Sequence, residues 1–287
     1  MNLRSKWSHL HFALGAPALI WQLLFLYLPL LFVVITTFLK ITDSGHIEGI
    51  TFDNILFFLT PVFFKIIVYS ILLAISNAII CLCIGFPLAY FMHFPGKRIK
   101  LLLLFFLMIP FWTSFLLHVY AWYYVLESGG VINTLLMSLG LIKEPLTLLG
   151  NIFSIMIMMV YTYLPFMVLP LYSTMENFDI RLIDASQNLG ASWFQTMRRI
   201  LVPLCGKGIR GGFFLVFIPS FGEFAIPELM GGDKRFFVGN TVSFLILGEP
   251  AGCKGEAFTL LSMFILVLVA LVLLKLFKIL LKERASS

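Results

Sequence analysis

Two groups of residues have types and spacing suited to chemistry, and neither is a catalytic constellation. The first is Asp184-Ala185-Ser186, then Gly190, then Ile200 and Pro203, in a polar, basic stretch between long apolar segments. Its helix start and stop signals suit a rigid surface that another protein grips. The second is Glu223, preceded by Pro219 and Gly222 inside an otherwise apolar segment. A carboxylate within a membrane span is costly and is by default a functional site; the plainer reading is a side chain that reaches water at the outer end. Trp112, Tyr161 and Tyr163 stand beside proline-bearing stretches at comparable depth.

The elements that must position these residues follow from composition. The 287-residue chain is 60% hydrophobic and 12% charged, with 31 Phe, too little charge to cover a soluble surface. Apolar runs of about 20 residues cross a ~30 Å hydrocarbon core as helices. Spans are expected at about 12–39, 64–93, 101–124, 150–174, 209–229 and 257–279. Residues 1–11 are basic, and the apolar run after them is too long for a cleavable signal, so the first span is expected to be retained. The class is an all-α polytopic membrane protein in a single membrane domain.

Six spans place both termini on one side, together with loops 94–100 and 176–210. That side holds fourteen of the twenty Lys and Arg residues, which makes it cytoplasmic. The opposite loops hold nine of the fourteen carboxylates. This is either ordinary topology bias or an outer vestibule that attracts cations. Cys81 and Cys83 fall inside a span, Cys205 and Cys253 fall on opposite sides, and five scattered His form no ligand set. P-loop, H-E-x-x-H and G-x-S-x-G signatures are absent.

Local signals refine the picture. Thr51 or Asp53 starts an outer helix, and Pro87 is expected to bend the second span. Pro110-Phe111-Trp112-Thr113-Ser114 interrupts the third span, and Pro165 and Pro170 suggest a broken fourth span beside a pathway. Segment 127–148 is an outer loop with room for one interfacial helix. In the polar stretch, Asp179 caps a helix over about 180–189 and Gly190 stops it. Ser192 with Gln195 forms a capping box for a second helix ending near Leu201, and Pro203 breaks the chain. Ala185 and Ser186 offer small side chains where a partner can approach.

That stretch resembles the E-A-A signature of ABC importer permeases: Glu-Ala-Ala, three residues, Gly, nine residues, Ile-x-Leu-Pro. Asp184, Ser186 and Val202 are conservative departures, with the spacing kept. Pro110 to Ser114, Leu164 to Tyr172 and Gly222 to Gly232 are similar to the spermidine/putrescine permeases, a resemblance running from about residue 15 to 275. The outer loop from Glu249 to Lys254 departs from that pattern.

The resemblance implies a type-1 ABC importer permease fold of six transmembrane helices in the bacterial inner membrane. It divides the chain into residues 1–62 with the first helix, a core at 63–279 containing the loop 176–208, and a tail at 280–287. It assigns Asp184, Ala185, Ser186, Gly190, Ile200 and Pro203 to coupling with a cytoplasmic ATPase dimer. ATP and Mg would be bound by that ATPase, and this chain would hold no cofactor, metal or nucleic acid. A second permease subunit, a periplasmic polyamine-binding protein and membrane lipid are the implied partners. For a cargo made of ammonium groups, Glu223 supplies charge and Trp112, Tyr161 and Tyr163 supply aromatic faces. Two alternatives stand beside this reading. One is an importer of the same architecture for an inorganic anion or ferric ion, though no mid-span cation favours an anion. The other is an ion-coupled secondary transporter, which inverted repeats would indicate.

Overall fold

In hydrocarbon every backbone N–H and C=O must find its partner within the protein, so the apolar runs become helices. The computed structural model describes residues 16–41, 46–93, 97–179, 181–231, 237–248 and 253–280. Residues 1–11, the turn at 94–96, the outer-loop departure at 249–252 and the tail beyond 280 lie outside the described residues. Among the described residues, four helices are long and apolar enough to cross a membrane: Ala16–Thr37, Pro61–His93, Ile152–Glu176 and Lys254–Leu280. Two bent pairs bring the number to six, at the third and fifth positions.

The third span runs over Lys97–Trp112, stops at Thr113 and Ser114, and resumes as Phe115–Leu126. Thr113 Oγ1 lies 2.8 Å from His118 Nε2, a side-chain link across the break. The fourth span, by contrast, carries both Pro165 and Pro170 in one continuous helix, so the expected break is absent. Proline is tolerated there because packing holds the helix on both sides of each lost hydrogen bond: Pro165, Met167, Val168 and Leu171 are buried. Pro87 is likewise carried inside the 33-residue second span.

The fifth span departs further from expectation. It comprises Gly206–Phe221, ends eight residues early, and gives way to a short helix at Ala225–Met230. A helix at Val238–Leu247, unexpected from the sequence, follows. The expected interfacial helix is present as Val131–Ser138. Buried Asn133 pins its loop, donating to Leu146 O at 3.0 Å and accepting from Leu146 N at 2.9 Å.

The chain separates into two compact units. One combines residues 1–64 with 242–264 and centres on Phe57, Phe58, Phe63 and Phe258, with ring centroids 4.6–5.7 Å apart. It includes a small antiparallel ribbon, Leu39–Ile41 with Ile47–Ile50, in an otherwise helical fold. Thr51 and Asp53 start the Asp53–Leu56 turn as expected, Asp53 N donating to Thr51 Oγ1 at 3.1 Å. Lys40 and Glu48 form an exposed ion pair at 2.7 Å, of a kind that contributes little.

The other unit, residues 65–241 and 265–287, holds the core, where Ala74, Ala78, Met158, Met167, Val216 and Phe217 are fully buried. Its fourth and fifth spans approach closely at two glycines. A Cβ on Gly208 would lie 2.7 Å from Pro170 O, and one on Gly212 would lie 3.0 Å from Met167 O. This G-x-x-x-G spacing places small residues where two membrane helices meet. Gly211, between them, would meet only Pro170 Cβ at 3.9 Å. Gly208→Ala and Gly212→Ala should each destabilise the protein by about 1–3 kcal/mol through overpacking, while Gly211→Ala should be neutral. Thermal unfolding of the detergent-solubilised chain reads the difference; equal melting of all three would contradict this contact.

Candidate functional site

The polar loop is built from its caps outward. Asp179 Oδ1 accepts Arg181 N–H at 3.0 Å and opens the Arg181–Asn188 helix. The helix closes with Gly190 at φ +84°, a left-handed conformation that L side chains rarely adopt. Ala191 N donates to Ser186 O at 3.1 Å and Gly190 N to Gln187 O at 2.9 Å, the paired bonds of a Schellman stop. A Cβ on Gly190 would meet nothing within 4 Å, so its backbone conformation, not crowding within the chain, calls for glycine.

Ser192 and Gln195 then form the capping box, at 3.3 and 3.0 Å, and start the Trp193–Leu204 helix. That helix continues past Leu201 and holds Pro203 inside it. A π turn over Met197–Leu201 precedes the proline, with Val202 N–H bonded to Met197 O. The break falls instead at Cys205, where the chain bends by 70° into Gly206–Phe221.

Asp184, Ala185, Gly190 and Pro203 are exposed and Ile200 is half-buried. Ser186 is the exception. Its side chain faces inward, 2.7 Å from Thr196 Oγ1, so of the two small residues only Ala185 lies open to a partner. The sequence reading also passed over an apolar crest on the loop, Leu189 at 89% exposed, Trp193 at 57% and Phe194 at 66%. At the loop end of the fourth span, Lys100 Nζ pairs with Glu176 at 3.2 Å, and His93 stacks on Phe178. The ends of the second, third and fourth spans are thereby tied together.

Glu223 occupies the turn that ends the fifth span. Its Oε1 accepts N–H groups from Ala225 at 3.0 Å and Ile226 at 3.4 Å, starting the Ala225–Met230 helix. Its Oε2 accepts the hydroxyl of buried Tyr163 at 2.6 Å. Negative charge is favoured at a helix N-terminus, so the carboxylate has a local reason to be there. The far end of the short helix is fixed as well, Met230 O accepting from Ser154 Oγ at 2.8 Å and Gly150 N at 3.1 Å.

Further polar side chains, which the sequence reading did not single out, line up beside this turn. Asn77 Nδ2 donates to Ser220 Oγ at 2.8 Å and Ser70 Oγ accepts Val238 N–H at 2.9 Å, both buried. Asn240 Nδ2 donates to Phe224 O at 3.2 Å and to the Glu228 carboxylate. A polar residue at helical spacing in an apolar run was the only available signal.

The four pathway candidates do not form one cluster. Tyr163 and Glu223 are in contact. Tyr161, on a different face of the same helix, packs on His118 at 5.4 Å and Trp122 at 5.8 Å between centroids, all three half-buried. Trp112 packs edge-on against Phe105 of its own helix and is 67% exposed. The second half of the third span, which carries His118 and Trp122, packs against both the fourth span and the Ala225–Met230 helix.

A family model described as "Binding-protein-dependent transport system inner membrane component" matches residues 82–285, which include the loop and Glu223. The chain belongs to this family. It is an inner-membrane transport component. It is 38% identical over 228 residues to the spermidine/putrescine transport system permease protein PotB of Salmonella typhimurium, covering 79% of each chain. To PotB of Escherichia coli K12 it is 36% identical over 253 residues, covering 88% of this chain and 92% of the relative. Its fold matches a chain of a bacterial alginate ABC transporter, solved with a periplasmic protein bound to an alginate pentasaccharide. The TM-score is 0.70 at 16% identity, over 98% of this chain and 97% of that one.

Within this family member, Glu223→Ala should orphan two backbone N–H groups and the Tyr163 hydroxyl, costing about 0.5–2 kcal/mol as for a lost helix cap. Glu223→Gln keeps an oxygen for the N–H groups and should melt closer to the parent. Thermal unfolding of the purified protein distinguishes them; equal losses would mean that Glu223 does not cap this helix.

Proposed function

We propose that this chain is a permease subunit of an ATP-driven importer of polyamines, putrescine or spermidine. The observation that carries the reading is the 36–38% identity to spermidine/putrescine permeases over most of the chain. The half-buried Glu223 carboxylate, with a ring of Tyr163 against it, supports it chemically. A polyamine is a flexible chain of ammonium groups, best met by carboxylates and aromatic faces, each cation–π contact contributing about 0.5–2 kcal/mol. Glu223 would take one ammonium group in exchange for the Tyr163 hydroxyl. The half-buried rings of Tyr161, Trp122 and His118 would serve another, and exposed Trp112 would face the cargo or a second permease.

In this reading a periplasmic binding protein delivers cargo to the outer face, and a second permease subunit completes the pathway. Both termini and the 176–208 loop face the cytoplasm, within a core spanning 63–279. A separate ATPase dimer binds ATP and Mg and grips the Arg181–Asn188 helix at Asp184 and Ala185, with Leu189 and Phe194 offering apolar contact. ATPase closure moves that helix and rocks the spans between inward- and outward-facing states. Membership of the family sets the ion-coupled secondary transporter aside. An importer for an inorganic anion or ferric ion is the competing reading.

Gly190→Asp should abolish cargo-stimulated ATPase activity and uptake while leaving membrane insertion intact, because the left-handed stop is strained by a side chain and a carboxylate enters the docking surface. Coupled transport at the parental rate would defeat the coupling assignment. For the cargo, putrescine or spermidine should raise the melting temperature of the assembled complex with its binding protein, where phosphate or ferric citrate should not. Stabilisation by the latter alone would replace the polyamine.

A further inference from the structure

The Arg181–Asn188 helix buries two side chains, Ile183 and Ser186, three residues apart and therefore on one face. Ile183 shares a small cleft with Tyr90, Trp193, Thr196, Met197 and Leu201. Ser186 Oγ donates to Ile183 O at 2.8 Å and lies 2.7 Å from Thr196 Oγ1. With the Ser186 proton committed to Ile183 O, Thr196 is the donor to Ser186. The two hydroxyls thus form a directed chain from the second helix of the loop into the backbone of the first. Water is excluded from it, since Ser186 is 7% and Thr196 3% exposed.

An eight-residue helix is marginal by itself, so its orientation depends on such contacts. Its covalent link to the next helix is the turn at 189–192, whose glycine stop fixes an end but offers little lateral support. The E-A-A pattern has alanine where this chain has Ser186, and alanine has no oxygen to offer. Thr196, one turn into the next helix, supplies the complement to the serine. From Thr196 the chain passes through the bend at Cys205 and along Gly206–Phe221 to Glu223.

We propose that the Ser186–Thr196 hydroxyl pair locks the coupling helix to the helix leading into the fifth span. A displacement imposed at Asp184 and Ala185 then reaches the fifth span instead of being absorbed in the turn at 189–192. The proposal rests on the coupling role given to this loop. Ser186 and Thr196 are positioning residues, touching neither cargo nor nucleotide.

The test uses the complete transporter in proteoliposomes and reads cargo moved per ATP hydrolysed. Ser186→Ala and Thr196→Val should each lower that ratio about three- to tenfold, since each removes the one hydrogen bond that joins the two side chains. The double variant should fall no further than the weaker single variant, since both substitutions remove the same link. Thr196→Ser should keep the parental ratio. Reduced assembly of the single variants at an unchanged ratio would reduce the pair to a folding contact and overturn the proposal, as would losses that multiply in the double variant. Gly190→Asp runs alongside. If it uncouples while both single variants transport normally, the lock is wrong and the coupling role stands; if Gly190→Asp itself transports normally, both fall.

Discussion

A hydrocarbon interior offers backbone groups no hydrogen-bonding partner, and at two of the places where this chain interrupts a helix polar side chains bond at the interruption. The third span breaks at Thr113 and Ser114, and Thr113 and His118 join across the gap. The fifth span ends at Phe221, and Glu223 takes the first N–H groups of the helix that follows. Met230 O, at the other end of that helix, is held by Ser154 and Gly150. Where no side chain is needed the helix continues, as the fourth span does through Pro165 and Pro170. The breaks in the third and fifth spans are thus built places, each with polar side chains bonded at it.

Close packing also joins the polar loop to the Glu223 turn. Gly208 and Gly212 let the fifth span lie closely against the fourth. Glu223 is bonded to Tyr163 of that fourth span, a few residues above the contact. Under the proposed coupling role, packed helices join the loop to both the carboxylate and its tyrosine. The ion pair of Lys100 with Glu176 joins the neighbouring ends of the third and fourth spans beside the loop.

How much of this was legible in the sequence depended on whether the signal was local. Asp179, Gly190, Ser192 and Gln195 lie within a few residues of the groups they cap, and each occupies the place its type implied. The long apolar runs were equally plain. The early end of the fifth span was not, because it depends on Glu223 turning back onto N–H groups two and three residues ahead. The helix at Val238–Leu247 has a composition that also suits a loop. Ser186 read as a small surface residue because its partner Thr196 lies across a turn, and no pattern of spacing reports that two hydroxyls meet. The grouping of Trp112, Tyr161 and Tyr163 by depth missed the helical rotation that sends Tyr161 and Tyr163 to different neighbours.

On the proposed function, this chain conducts a polyamine when an ATPase acts on its loop. The most direct measurement is accumulation of radiolabelled putrescine and spermidine in proteoliposomes holding the complete transporter, with its binding protein outside the vesicle and ATP in the ATPase compartment. The account predicts uptake against a gradient that requires both ATP and the binding protein. Uptake that persists without ATP, or an intact and ATP-hydrolysing complex that moves neither polyamine, would contradict it.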